Sequence, residues 1–170
     1  MKKLASVLTI IVTLFSITAC SSKNETSQLS KVLGVDLSSG IISKSEDSHG
    51  GFHNDGKTFI EITFSDNNET LEEEIKTNSN WTEMPFSENL HTLVYGKTSD
   101  TESVGPCVAD DDNKPLFPNI ENGYYFFKDR HSESKNASDD TDVLNRNSFN
   151  FTIAIYDSTT RAIYYYELDT

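Results

Sequence analysis

The densest group of side chains that could do chemistry lies between residues 47 and 56. His49 and His53 are four residues apart, and Asp55 follows two residues later. Imidazole nitrogens and carboxylate oxygens are ligands of zinc and other divalent metals. On a helix this spacing would place both histidines on one face, but the two glycines between them disfavour a helix. The spacing alone therefore does not fix their geometry.

A second polar cluster, residues 128–131, stands at the end of a predicted strand. If the loop that carries the first histidine packs beside it, the two clusters would form a divalent-metal site or a general-base site. In the alternative, the same side chains cap turns and pair with one another at one end of a sheet. Both interpretations stay open at the level of the sequence. The candidate site comprises His49, His53, Asp55, Asp129 and His131.

Other features carry weaker chemical predictions. Cys107 is followed by aspartates at residues 110–112, and nearby negative charge raises a thiol pKa and weakens the thiol as a nucleophile. The three aspartates lack the spacing and the glycine of a calcium loop, so we expect a solvated turn. The sequence has no P-loop, dinucleotide fingerprint or G-x-S-x-G motif. The patterns favour a non-catalytic binding domain, with a metal-dependent, hydrolase-like enzyme as the alternative.

The elements that must position these side chains follow from apolar periodicity. In residues 58–65, apolar and polar side chains alternate as in a half-buried strand. Ser87 is a predicted helix cap, with Leu90, Leu93 and Val94 facing inward. We predict strands at residues 32–37, 41–42, 58–65, 123–130, 149–157 and 161–169, and helices at 67–76 and after Ser87.

These elements predict an α+β fold. The antiparallel sheet has about four to five strands, and two short helices pack on one of its faces. The last two predicted strands are joined by a short turn-like segment, so they should form a hairpin. The segment between residues 97 and 119 holds three of the four prolines and is predicted to be an irregular surface excursion.

The first twenty residues follow the order of an export signal. Lys2 and Lys3 precede an apolar run over residues 4–17 that is too short, and wrongly flanked, for a transmembrane helix. The sequence Ile17-Thr18-Ala19-Cys20 then resembles the lipobox of bacterial lipoproteins. The resemblance implies cleavage before Cys20 and diacylglycerol on its thiol, and two acyl chains give stable anchoring. We therefore expect a protein anchored to the cell membrane on its extracytoplasmic face.

Domain organisation and charge follow from this reading. We expect a signal peptide over residues 1–19, the lipidated cysteine and a flexible tether over 20–31, and one domain over 32–170. After removal of the signal, 12 basic and 27 acidic residues remain, a net charge of −15. Such a surface repels phosphate backbones, so we expect no nucleic-acid partner. A basic protein, a small ligand or a divalent metal stays open as a partner, and no other cofactor is expected.

Four segments of the mature chain resemble a group of small uncharacterised proteins and lipoproteins of Firmicutes gut bacteria. The resemblance covers most of the predicted domain and implies no activity. It implies that the segments around His49 and His131 are parts of one module. The four segments are residues 33–36, 48–56, 122–131 and 148–152.

Overall fold

The structure, a computed structural model, describes residues 24–50, 55–65 and 69–170. The predicted signal peptide and Cys20 lie outside these residues. No helix of the described chain is long and apolar enough to cross a membrane. The described elements are helix α1 (residues 24–33), strands β1 (Ile41–Asp47) and β2 (Gly56–Thr63), helix α2 (Glu69–Thr77), strand β3 (Trp81–Glu83), helix α3 (Glu88–Tyr95), strands β4 (Lys97–Thr98), β5 (Ser103–Val104) and β6 (Gly123–Asp129), a 3-10 turn (Val143–Asn145), and strands β7 (Asn150–Asp157) and β8 (Ala162–Asp169).

Six strands form one antiparallel sheet in the order β1-β2-β8-β7-β6-β3. The predicted α+β class and the hairpin of the last two strands are confirmed, but the sheet is larger than four to five strands. The extra strand β3 has three residues, too few for an alternating pattern to reveal it. β8 lies inside the sheet, and its neighbouring tyrosines, Tyr165 and Tyr166, are both buried, one on each face.

The helices cover both faces of the sheet, so the prediction of two helices on one face is wrong. Helices α1 and α2 pack on the face that presents Ile60 and Tyr165, which we call the α1 face. Helix α3 packs on the opposite face, which presents Phe59 and Tyr166 and which we call the α3 face. The sequence could not separate the two cases, because every central strand carries apolar residues at odd and at even positions.

Helix α1 occupies residues that were predicted as a flexible tether (through residue 31) and as the start of a strand (32–37). Residues 34–37, the rest of that predicted strand, form a turn and irregular chain. Leu29 and Leu33 are buried in the core of the α1 face, and Thr26 is buried on the same side of the helix. The stripe was missed because one of its three members is polar. Gly34 ends the helix in a left-handed conformation, with φ of 70° and its N–H donated to the carbonyl of Ser30.

Two further segments differ from expectation. β1 continues to Asp47, although only residues 41–42 were predicted as strand and a loop from residue 46. Its side chains are almost all exposed, so backbone pairing with β2 forms the strand without an apolar pattern. The predicted surface excursion, residues 97–119, instead buries Val108 and Phe117 against the α3 face. Helix α3 agrees with prediction: Ser87 accepts the N–H of Leu90, and the helix ends at Gly96.

Candidate functional site

His49 lies just beyond the end of β1 and joins that strand to β8. Its Nδ1 lies 2.7 Å from Oδ1 of Asp47, and its Nε2 lies 3.2 Å from Oδ2 of Asp169. The hydroxyl of Thr58 donates to the same oxygen of Asp47. The backbone N–H of His49 also donates to Asp47, which forms a tight turn after the strand. The histidine ring is therefore held at both nitrogens by side chains of the protein itself.

Arg130 continues this network from the end of β6. Its Nη1 lies 2.8 Å from Oδ1 of Asp169, and its Nη2 lies 3.0 Å from Oε1 of Glu167. Its Nε donates to the hydroxyl of Thr152, and Nη2 donates to the carbonyl of Phe151. The guanidinium thus ties three neighbouring strands of the sheet together at one end.

We call this network the ionic cluster: Asp47, His49, Arg130, Glu167 and Asp169. Hydrogen bonds from the backbone and the ring of His49 lower the pKa of Asp47. Burial lowers the pKa of His49, but its hydrogen bonds to two carboxylates outweigh burial, and the net pKa is raised. Because both ring nitrogens face carboxylate oxygens, the protonated imidazolium fits this position best. Burial and the hydrogen bond to Glu167 raise the pKa of the Tyr165 phenol, which therefore stays protonated and donates to that carboxylate.

Asp129 faces the other side of the sheet. It pairs with Phe151 in register, and Phe151 belongs to the α3 face, whereas the ionic cluster lies on the α1 face. Its side chain is 1% exposed, pairs with Arg146 and accepts the backbone N–H of His131. The structure therefore does not bring the carboxylate of Asp129 together with His49, because neighbouring residues of a strand point to opposite faces.

The other predicted site residues have separate places. His131 accepts the N–H of Glu133 at Nδ1, so its Nε2 carries the proton that is donated to Ser148. Asp55 is exposed just before β2, and His53 lies outside the described residues. Within residues 24–50, 55–65 and 69–170, no group of three or more His, Cys, Asp or Glu side chains could hold a metal ion. Most described members of the predicted site thus follow the alternative interpretation of turn caps and ion pairs at a sheet end.

A cleft of about 290 Å³ lies between helix α1 and the sheet, beside the ionic cluster. We call it the α1 cleft. Its apolar floor includes Leu29, Ile60 and Tyr165, and three carboxylates stand around it. One of them, Glu25, accepts a hydrogen bond from Ser45 of β1. The full lining is Glu25, Gln28, Leu29, Val32, Asp47, Thr58, Ile60, Tyr165 and Glu167.

A second concave surface of about 480 Å³ lies on the opposite face of β1 and β2, against the turn at residues 110–112. We call it the β1 groove. Its floor is Phe59, over whose ring the Nζ of Lys44 lies at 5.0 Å from the centroid. Lys57 crosses from β2 to the carbonyl of Ala109 and to the carboxylate of Asp111. Five carboxylates and two lysines line the groove, and Asp47 is common to both concave surfaces.

Comparisons with protein-family models, curated proteins and solved structures found no match to this chain.

Sequence reasoning missed the members of the ionic cluster that lie far apart in the chain. Asp169 is 120 residues from His49, and Arg130 lies 39 residues before Asp169. The proximity of Asp169 to the polar segment at residues 128–131 could have been predicted, because the predicted hairpin of the last two strands places both at the same end of the sheet. The order of strands in the sheet, which brings β2 beside β8, was needed to add His49.

Proposed function

We propose that this protein is a lipid-anchored extracytoplasmic binding domain whose α1 cleft receives a positively charged group. The first support is the lipobox sequence ending at Cys20. Helix α1 is described from residue 24, and a fully extended chain covers at most about 14 Å over four residues. An anchor at Cys20 would therefore hold the α1 cleft close to the membrane surface.

The observation that carries the binding role is the composition of the α1 cleft. Glu25, Asp47 and Glu167 stand around a floor of Leu29, Ile60 and Tyr165. An apolar floor reduces local solvation and strengthens the attraction between carboxylates and a cation. The hydrogen bonds of His49 and Arg130 hold two of the three carboxylates in place. A preformed acidic cleft of this kind suits an ammonium or guanidinium group on an aliphatic stem.

The anchoring half of the proposal is tested by fatty-acid labelling in a bacterial host. The full chain should incorporate a labelled fatty acid, and Cys20→Ala should abolish the label. Cys107→Ala is the matched control, since Cys107 is the one other cysteine in the sequence. Equal labelling of the Cys20→Ala variant would disprove lipidation at that position.

The binding half is tested with the purified full-length protein in non-ionic detergent and a short arginine-rich peptide. We expect salt-sensitive binding, weakened roughly three- to fivefold by Glu25→Gln, as expected for one partly exposed ion pair. Glu102→Gln removes the same charge from the segment between β4 and β5 and should change affinity less. Equal weakening by both variants would show that net charge, and not the cleft, attracts the peptide.

A further inference from the structure

Strand β1 is the last strand at one side of the six-stranded sheet. Among the described residues it pairs with β2 and with no second strand. The N–H of Ser48 donates to the carbonyl of Lys57, which fixes the alternation of the backbone: residues 44 and 46 point toward β2. The N–H and C=O groups of Ser45 and Asp47 therefore point away from the sheet. A bulge between Ile42 and Lys44 limits this regular edge to residues 44–47.

A concave surface lies on each side of this edge. The α1 cleft lies on the face toward which Asp47 points, and the β1 groove lies on the face toward which Lys44 and Glu46 point. Successive side chains of a strand point to opposite faces. A chain added along β1 would therefore place alternate side chains toward the α1 cleft and toward the β1 groove. Main-chain pairing with pockets for alternate side chains is the geometry of peptide recognition by strand addition.

The charges around the edge select the kind of chain that can be added. Three carboxylates line the α1 cleft, and five carboxylates with two lysines line the β1 groove. Both lysines already pair with carboxylates of the groove, and the two cations of the ionic cluster already pair with two of the three carboxylates of the cleft. Carboxylates still outnumber cations on each side. The excess negative charge on both sides favours basic side chains in the added segment. A second copy of this chain fits poorly, because two molecules that each carry a large net negative charge repel each other.

We propose that β1 binds an extended basic segment of a partner protein as a seventh strand. The segment pairs with the outward backbone groups of Ser45 and Asp47, and its lysine or arginine side chains enter the α1 cleft and the β1 groove. This inference rests on the proposed binding function and specifies its partner: a polypeptide in extended conformation, recognised through its backbone as well as its charge.

The test uses a fluorescently labelled hexapeptide, Lys-Thr-Lys-Lys-Thr-Lys, and the full-length protein in non-ionic detergent. Ser45→Pro removes the outward N–H of Ser45, and an outward-facing edge position tolerates proline. Ser45→Ala is the matched control, since it loses only the hydroxyl that contacts Glu25. We expect Ser45→Pro to weaken peptide binding about tenfold relative to Ser45→Ala, the loss of one hydrogen bond plus the steric block of the ring.

A second experiment changes the peptide and leaves the protein unchanged. Its result is therefore interpretable even if the proline variant does not fold. Methylation of alternate backbone amides keeps the charge of the peptide and removes its pairing donors. We expect the methylated peptide to bind about tenfold more weakly. Equal affinities for both peptides would overturn strand addition while leaving an acidic binding surface intact. No binding of either peptide would overturn the proposed binding function as well, and a protein dimer that dissociates in Ser45→Pro would assign the edge to a second copy.

Discussion

The two edges of the sheet are built differently, although one heteroaromatic ring holds each of them. At β3 the indole of Trp81 is 6% exposed, packs against Phe126 with ring centroids 6.0 Å apart, and donates to the carbonyl of Leu33. At the end of β1 the imidazole of His49 bridges Asp47 and Asp169. The first ring is held by packing and a neutral hydrogen bond, and the second by ionisable partners.

The two edge strands also differ in the length of backbone that each offers to an incoming chain. β3 is three residues long, and short edge strands give an incoming chain little to pair with. β1 has seven residues, nearly all exposed, and the ionic cluster fixes only its last residues. β3 thus contributes mainly to stability, whereas β1 is the edge that we propose for binding.

The largest effect on stability is expected at β3. Trp81→Ala should lower the free energy of unfolding by about 3–5 kcal/mol, because it empties a buried site that joins β3, β6 and α1. Trp81→Phe keeps an aromatic ring but loses the hydrogen bond to the carbonyl of Leu33. The loss of that hydrogen bond alone should lower the free energy of unfolding by about 1 kcal/mol. Urea unfolding followed by circular dichroism measures both. A loss below about 1 kcal/mol for the alanine variant would contradict a packed edge.

A smaller effect on stability is expected at His49, just beyond the end of β1. His49→Gln should lower the free energy of unfolding at pH 6 by about 1–2 kcal/mol, since a charged donor shared by two carboxylates is replaced by a neutral one. Asp55→Asn, an exposed change at the start of β2, is the comparison variant and should be neutral within about 0.5 kcal/mol. Equal losses of stability in the two variants would show that His49 does not stabilise the end of β1.

The two edges should also differ in their response to pH. The folded-state pKa of His49 is raised, so its stabilisation is full below the ordinary value near 6.5 and is lost as pH rises through the folded pKa. The stability difference between wild type and His49→Gln should therefore shrink between about pH 6 and pH 9. The difference between wild type and Trp81→Phe should stay constant over that range. A stability difference for His49→Gln that grows with pH would contradict a raised pKa of His49 in the folded protein.

The smallest effect is expected for the exposed apolar residue of β1. Ile41 is 71% exposed, so Ile41→Ala should change the free energy of unfolding by less than about 0.5 kcal/mol. Ile62, fully buried on the adjacent strand, is the matched position, and Ile62→Ala should cost about 2–5 kcal/mol. A large loss at Ile41 would mean that the edge at β1 is covered by a part of the chain or by another copy.

The same contrast shows what the sequence could predict. Strands with clear alternation, such as residues 58–65, and the capped helix after Ser87 were predicted because local periodicity and capping determine them. β1 and β3 were incomplete or missing, since exposed or very short edge strands depend on their neighbours and carry no apolar pattern. Helix α1 was missed because Thr26 interrupts its buried stripe.

The candidate site was predicted in part for a related reason. The polar segments around His49 and residues 128–131 were recognised by composition, and the structure places His49 and Arg130 on opposite sides of Asp169. The partner that joins them, Asp169, depends on strand order, which no local pattern encodes. Asp129 was assigned to the wrong group because the face of the sheet to which it points was not known.

The most direct test of binding at the β1 edge is amide hydrogen exchange at this strand in the full-length protein, with and without the basic hexapeptide. In the free protein the amides of Lys44 and Glu46 should exchange slowly, because they point toward β2, and those of Ser45 and Asp47 should exchange fast. If the peptide adds to β1 as a strand, it should slow exchange at Ser45 and Asp47. Binding that leaves both amides exchanging at their free rates would contradict recognition through this edge.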